Sequence, residues 1–320
     1  VSDLAWGVVR QRLRLEWWLT TLGLRPTPRL LALAHLMLVE HRKPGDAARL
    51  FEGGRYGAGS LDIGEQEAAR LLAGKPLVGK EMPDEARLNL PAWALPGLRR
   101  RFGAALEAEA KALEGTAPLD LRANALKATR AEARAALGLP AEDTAFSPWG
   151  LRLPARTPIA ANPAYLAGLV EVQDEGSQLI AALVGAKPGM RVADYCAGAA
   201  GKTLAMAATM LNQGRITACD VSAPRLEGAA KRLRRAGIHN AETHLLEPGD
   251  RWAKRRAGQF DRVLVDAPCT GTGTWRRNPD ARTRTSGADL AELVAKQGEI
   301  LSISAQLVRP GGRLAYATCS

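Results

Sequence analysis

Residues 191–220, RVADYCAGAAGKTLAMAATMLNQGRITACD, decide the fold. RVADYC is apolar enough for a buried strand, CAGAAG is a turn of small residues, and KTLAMAATML carries apolar side chains at helical spacing. RITACD is then a second strand, so the stretch reads strand, turn, helix, strand. Two strands joined through a helix run parallel and form a right-handed βαβ unit. The alternation continues downstream. The pattern predicts a helix over residues 223–236, a strand in ETHLL (242–246) and a buried strand in FDRVLVDAP (260–268). A long helix over 288–308 and a last strand in GRLAYATC (312–319) follow. Residues 166–320 are therefore expected to form an α/β, Rossmann-like domain with a doubly wound, mostly parallel sheet.

Upstream the texture differs. Apolar residues recur at helical spacing through 13–22, 30–39 and 64–72, with loops rich in Gly and Pro between them. Arg55-Tyr56-Gly57 and Pro91-Ala92-Trp93 fall in the joining stretches. An all-α domain is expected over 1–115. A small α+β connecting subdomain is expected over 116–165, where the strand-like LDLRANAL precedes the helical ATRAEARAALGL.

The chain has 320 residues, 46% of them hydrophobic, enough to bury a substantial core. No apolar run approaches the roughly 18 residues that span a bilayer, and the first residues read as an amphipathic helix rather than a signal peptide. The missing initiator Met predicts further residues before Val1. The net charge is +11, and basic residues cluster at 99–101, 231–235, 251–256 and 276–277. Such clusters favour a polyanionic partner, or serve as solvated helix faces. The four cysteines, Cys196, Cys219, Cys269 and Cys319, are widely spaced, with no C-x-x-C, and the four His are scattered. Neither a metal site nor a disulfide scaffold is expected, and a reducing cytoplasm suits such thiols.

Residues 194–203 join a strand to a helix through small residues, which let a ligand approach the helix N-terminus. The loop lacks both the Walker A glycine and G-x-G-x-x-G. Asp220 ends the next strand, where an acidic side chain meets the ribose of an adenosine-type ligand, although it also suits a helix cap. Glu247, after the third strand, stands where an acceptor for an adenine amine or a plain surface loop is expected. Asp266, Pro268 and Cys269 end the strand of FDRVLVDAP, and Cys319 ends the strand after it. Ligands of open α/β sheets bind at that edge. Cys219 reads as a small core side chain, and Cys196 as a residue that shapes the loop.

EVQDEGSQL, DYCAGAAGKT, Asp220, DAPCTGTGTWRRNPD and RPGGRLAYATCS together resemble the RNA 5-methylcytosine methyltransferase family, in particular its bacterial ribosomal RNA branch. The resemblance implies S-adenosylmethionine as cofactor, RNA as substrate and methyl transfer to carbon 5 of cytosine. By it, Cys196, Ala197, Gly198, Ala199, Ala200, Gly201 and Lys202 hold the methionine side of the cofactor. Asp220 takes the ribose and Glu247 stands at the family's adenine-binding Asp. Cys319 is implied to attack carbon 6, Cys269 to assist elimination and Asp266 to hydrogen-bond the ring. The N-terminal helices and LDLRANALKATR resemble the branch's RNA-binding parts. Ala200 stands where the family usually has Gly, and Glu247 is one methylene longer than Asp. The family fold carries two more strands, so residues beyond Ser320 are expected. A monomer, without membrane or metal, is expected.

Two other readings compete. A DNA cytosine-C5 methyltransferase would use Cys269 as nucleophile, with Cys319 a spectator. The Ala200 and Glu247 departures would also suit a catalytically silent RNA-binding or ribosome-assembly protein. An amino-methyltransferase lacks its Asn/Asp-Pro-Pro-aromatic motif here.

Overall fold

The computed structural model describes residues 2–52, 57–154 and 157–320. Arg55 and Tyr56 lie outside the described residues. The chain divides into two compact units. One holds Val1–Thr116, Gly271–Leu290 and Ser320; the other holds Ala117–Thr270 and Ala291–Cys319.

The first unit is helical. Its longer helices are Arg12–Thr21, Pro28–Leu38 and Ile63–Leu72, close to the three predicted periodic runs. Pro28 at the first turn and the Thr27 hydroxyl, which accepts from Leu30 N, start the second. Asp62 and Glu65 start the third with a reciprocal capping box. Leu15, Leu19, Leu33, Met37, Leu38 and Leu72 interlock in its main core. A second core gathers Leu88, Leu90, Leu95 and Leu106 around Trp275, which is fully buried. Trp275 meets Trp93 edge to face at 6.3 Å. Arg282, also buried, stacks over Trp275 and donates to the Leu113 carbonyl at 3.2 Å. The segment after Cys269 thus belongs by packing with the N-terminal helices. The basic pair at 276–277 did not reveal this, since Arg276 donates to the Thr116 carbonyl at 2.9 Å.

The second unit holds two sheets. The smaller comprises β1 (Leu119–Ala123), β2 (Glu142–Asp143), β3 (Gly150–Leu153) and β4 (Val170–Val172), antiparallel in the order β2-β3-β1-β4. The helix Arg130–Leu137 covers it, opened by a Thr129–Glu132 capping box. The larger sheet comprises β5 (Arg191–Asp194), β6 (Arg215–Asp220), β7 (Ala241–Leu245), β8 (Phe260–Asp266) and β9 (Val308–Ala317). Its order is β7-β6-β5-β8-β9 and every pairing is parallel. The order reverses direction beside β5, which makes the C-terminal ends of β5, β6 and β8 the ligand-binding edge of such a sheet.

The helices Gly201–Thr209 and Ala223–Ala236 lie where expected. The last helix, Gly287–Ala305, ends earlier than the predicted 308. Gln259 N and Phe260 N both bond to the Leu307 carbonyl, and Pro310 cannot continue a helix, so Val308 already belongs to β9. Among the described residues no helix is long and apolar enough to cross a membrane.

Candidate active site

The edge is built from three strand ends. β5 leads through a turn into the helix Gly201–Thr209, and the turn is held from several sides. Ala197 N donates to the Cys219 carbonyl at 2.9 Å, and Gly198 N to Asp220 Oδ2 at 2.8 Å. Gly198 and Ala200 both have positive φ, 55° and 61°. Open space surrounds the point where a Gly198 Cβ would stand, whereas the Ala200 methyl is fully buried. A left-handed non-Gly residue costs about 1–2 kcal/mol, which gives a physical reason for the glycine the resemblance expects at 200.

Asp220 does more than end β6. Its Oδ1 accepts from Ser222 N at 2.9 Å and so turns the chain into the next helix, while Oδ2 takes Gly198 N. One buried carboxylate thus holds both the turn after β6 and the loop after β5, while the cap position of the next helix falls to Ser222. Asp194, which the sequence did not single out, ends β5 and is 1% exposed. Thr203 Oγ1 donates to its Oδ2 at 2.7 Å, but Oδ1 has no partner. Burial pushes its carboxyl up to about 6. A buried carboxylate oxygen of this kind calls for a cation or donor from a ligand.

β8 and β9 bring the chemistry together. Asp266 pairs with Ala317 across the two strands, and Ala267 N donates to the Ala317 carbonyl at 2.9 Å. Three residues past one strand end and two past the other, Cys269 Sγ and Cys319 Sγ lie 3.3 Å apart. Gln297 Nε2, from the last helix, donates to the Pro268 carbonyl at 2.7 Å and fixes the turn that carries Cys269. Asp266 Oδ2 meets Lys202 Nζ at 2.5 Å, which ties the loop after β5 to the end of β8. Lys202 thus reaches the β8 side of the site.

The thiols are not electrically alike. Cys196 is pushed up to about 12 and Cys219 is pushed higher, both chiefly by burial. Both stay protonated and inert. Cys319 is also raised, by its hydrogen bond with Cys269 first and burial second. The hydrogen bond and the burial together keep the proton on Cys319 in the resting pair. The thiolate of Cys319 is then the minor form at neutral pH, and its fraction grows tenfold per pH unit below the pKa of the thiol. With Cys319 as nucleophile, log kcat/KM is expected to climb with a slope of about one from pH 7 to 9. A pH-independent rate over that range would show that Cys319 is already ionised.

Glu247 is exposed in the turn after β7, where its carbonyl accepts from Asp250 N. Of the basic clusters, Arg99, Arg100 and Arg101 are exposed on one short helix, with Arg99 paired to Asp84. Among the described residues no group of three His, Cys, Asp or Glu side chains is placed to hold a metal.

A family model described as 16S rRNA methyltransferase RsmB/F matches residues 181–320. Among similar proteins is one of Synechocystis sp. named "Probable ribosomal RNA small subunit methyltransferase B". It is 31% identical over all of this chain and 76% of its own length. The ribosomal RNA small subunit methyltransferase B of Klebsiella pneumoniae is 30% identical, over all of this chain and 77% of itself. A crystal structure of a methyltransferase homologue from Pyrococcus horikoshii aligns with 74% of this chain and 76% of its own, at TM-score 0.64 and 28% identity. The structure of a protein called PH0851 shares the fold over the whole chain and 76% of its own length, at TM-score 0.83 and 24% identity.

Proposed function

The chain belongs to the RsmB/F family of 16S rRNA methyltransferases, and from that premise we propose the chemistry that its site performs. It is an S-adenosylmethionine-dependent RNA methyltransferase. Its target is carbon 5 of a cytosine in small-subunit ribosomal RNA, with Cys319 as nucleophile and Cys269 assisting release. The observation that carries this reading is the 3.3 Å approach of two sulfurs at neighbouring strand ends, beside Asp266 and Lys202.

The loop fits S-adenosylmethionine. Asp194 Oδ1, without a partner, suits the ligand's ammonium. The first turn of the helix Gly201–Thr209 suits its carboxylate, and Asp220 its ribose. When bound, the cofactor supplies an electrophilic methyl group on a sulfonium.

The protein's part is to make carbon 5 nucleophilic. Cys319, once deprotonated, forms a bond to carbon 6, and the carbon 5–carbon 6 electron pair shifts toward the ring carbonyl and N3. Lys202 offsets that charge at the ring edge, and Asp266, once protonated, donates a hydrogen bond to N3 there. Carbon 5 then takes the methyl group. Loss of the carbon 5 proton restores the double bond, and Cys319 leaves as thiolate. Cys269, whose sulfur lies 3.3 Å from that of Cys319, takes the carbon 5 proton as a base and passes it to solvent. The helical unit, with Arg99 to Arg101 on its surface, is proposed to bind RNA, as is the small subdomain over 116–165.

Methylating 16S ribosomal RNA with labelled cofactor, then mapping by bisulfite sequencing, tests the target. One protected cytosine is expected; label without any protected cytosine would reject the carbon 5 assignment. The cofactor site has its own test. Asp220→Ala should weaken S-adenosylmethionine binding by about 1–3 kcal/mol while RNA affinity barely changes. An unaltered dissociation constant in calorimetry would leave Asp220 a structural turn residue only.

A further inference from the structure

Three guanidinium groups gather near one buried carboxylate beside the cofactor loop. Glu171, the middle residue of β4, is 5% exposed. It accepts from Arg235 Nη2 at 2.6 Å and lies 3.4 Å from Arg232 Nη2. Arg122 of β1, equally buried, donates through Nε to Gln173 Oε1 at 2.6 Å. Arg235 has a second contact in the Tyr165 ring, 3.9 Å from its guanidinium carbon. The second contact of Arg232 is different. Its Nη1 donates to the carbonyl oxygen of Ala199 at 2.6 Å.

Ala199 lies between the two left-handed residues of the loop, Gly198 and Ala200. A Cβ on Gly201 would stand 3.8 Å from Arg232 Nη2 and 3.9 Å from Gln173 Nε2, so both side chains cover the start of the helix that follows. The loop is therefore held from two elements. β6 ends in Asp220, which takes Gly198 N, and the C-terminal half of the helix Ala223–Ala236 carries Arg232, which takes the Ala199 carbonyl. Ala200 holds a strained conformation that the loop would relax if released.

We propose that Arg232 is a positioning residue for the cofactor. Anchored on Glu171, it holds the Ala199 peptide and the left-handed turn through Ala200 in the shape that receives S-adenosylmethionine. The proposal rests on residues 196–202 being the cofactor loop.

Calorimetry and steady-state kinetics on Arg232→Met, Arg232→Lys, Arg235→Met and Asp220→Ala test both. Arg232→Met should raise the cofactor Kd and KM about tenfold, the worth of one charge-assisted hydrogen bond, with kcat and the RNA KM within about twofold. Arg232→Lys, which keeps a donor, should recover most of that loss and carries the test if the Met variant does not fold. Arg235→Met also strips a partner from Glu171 but does not reach the loop, so its cofactor Kd should stay within about twofold whatever its melting temperature. Equal cofactor losses in Arg232→Met and Arg235→Met would reduce Arg232 to part of a structural ion pair. An effect of Asp220→Ala without one of Arg232→Met would overturn the Arg232 role and leave the loop assignment standing. No effect from either would overturn both.

Discussion

Cys319→Ala is expected to lower kcat for RNA methylation by about 10⁴-fold or more, because in the proposed chemistry its thiolate alone opens the route to carbon 5. Carbon 5 of cytosine is too weak a nucleophile to take a methyl group from a sulfonium unaided. Addition of a thiolate at carbon 6 turns the ring into an enamine whose electron pair sits on carbon 5. Cys319 lies two residues past the end of β9 and is exposed, so its loss should leave the fold intact and melting temperature near that of the wild type. Cys196 and Cys219 cannot substitute, since burial holds both as thiols. Rates within tenfold of wild type would remove Cys319 from the mechanism.

Asp266→Ala should cost about 10²–10³-fold in kcat/KM for RNA, the usual worth of a group aimed at charge that develops in the transition state. Two losses are combined in it. The ring edge loses its hydrogen-bond partner, and Lys202, whose side chain is 12% exposed, is left as an ammonium without its carboxylate. A double-mutant cycle separates them. If Asp266 acts on the ring, Lys202→Met in the Asp266→Ala background should not restore activity. Recovery in the double variant would mean that Asp266 serves only to neutralise Lys202.

The parallel sheet was legible because its strands are buried and separated by helices of ordinary length. Residues 215–220 and 223–236 carry their own boundaries: Asp220 and Pro224 at one junction, Gly237 at the other. The small sheet was not legible beyond β1. β3 and β4 have four and three residues, too few for an alternating pattern, and their partner β1 is distant in sequence. The two thiols and Asp266 could be singled out because each stands at or just past the end of a strand whose neighbour was already assigned. Asp194 fell inside the expected strand RVADYC although β5 ends on it, and nothing near Arg232 signals that it meets a carbonyl on the preceding βα turn. The tryptophan in TWRRNPD was invisible for a related reason: polar neighbours mask a side chain that is fully buried. Charge clusters misled in part, because Arg232, Arg235 and Arg276 are engaged within the protein rather than free for phosphate.

The division of labour between the two sulfurs is tested most directly by a denaturing gel. Purified Cys269→Ala and Cys319→Ala are incubated with 16S ribosomal RNA and S-adenosylmethionine, and protein is probed for attached RNA. With Cys319 as nucleophile, Cys269→Ala forms the bond to carbon 6, passes the methyl group on and then stalls before elimination. It accumulates an RNA-bound band that survives denaturation, and Cys319→Ala gives none. A DNA-type assignment predicts the reverse, and a silent binding protein predicts no band from either. The account predicts a covalent band with Cys269→Ala alone; a band with Cys319→Ala and none with Cys269→Ala would contradict it.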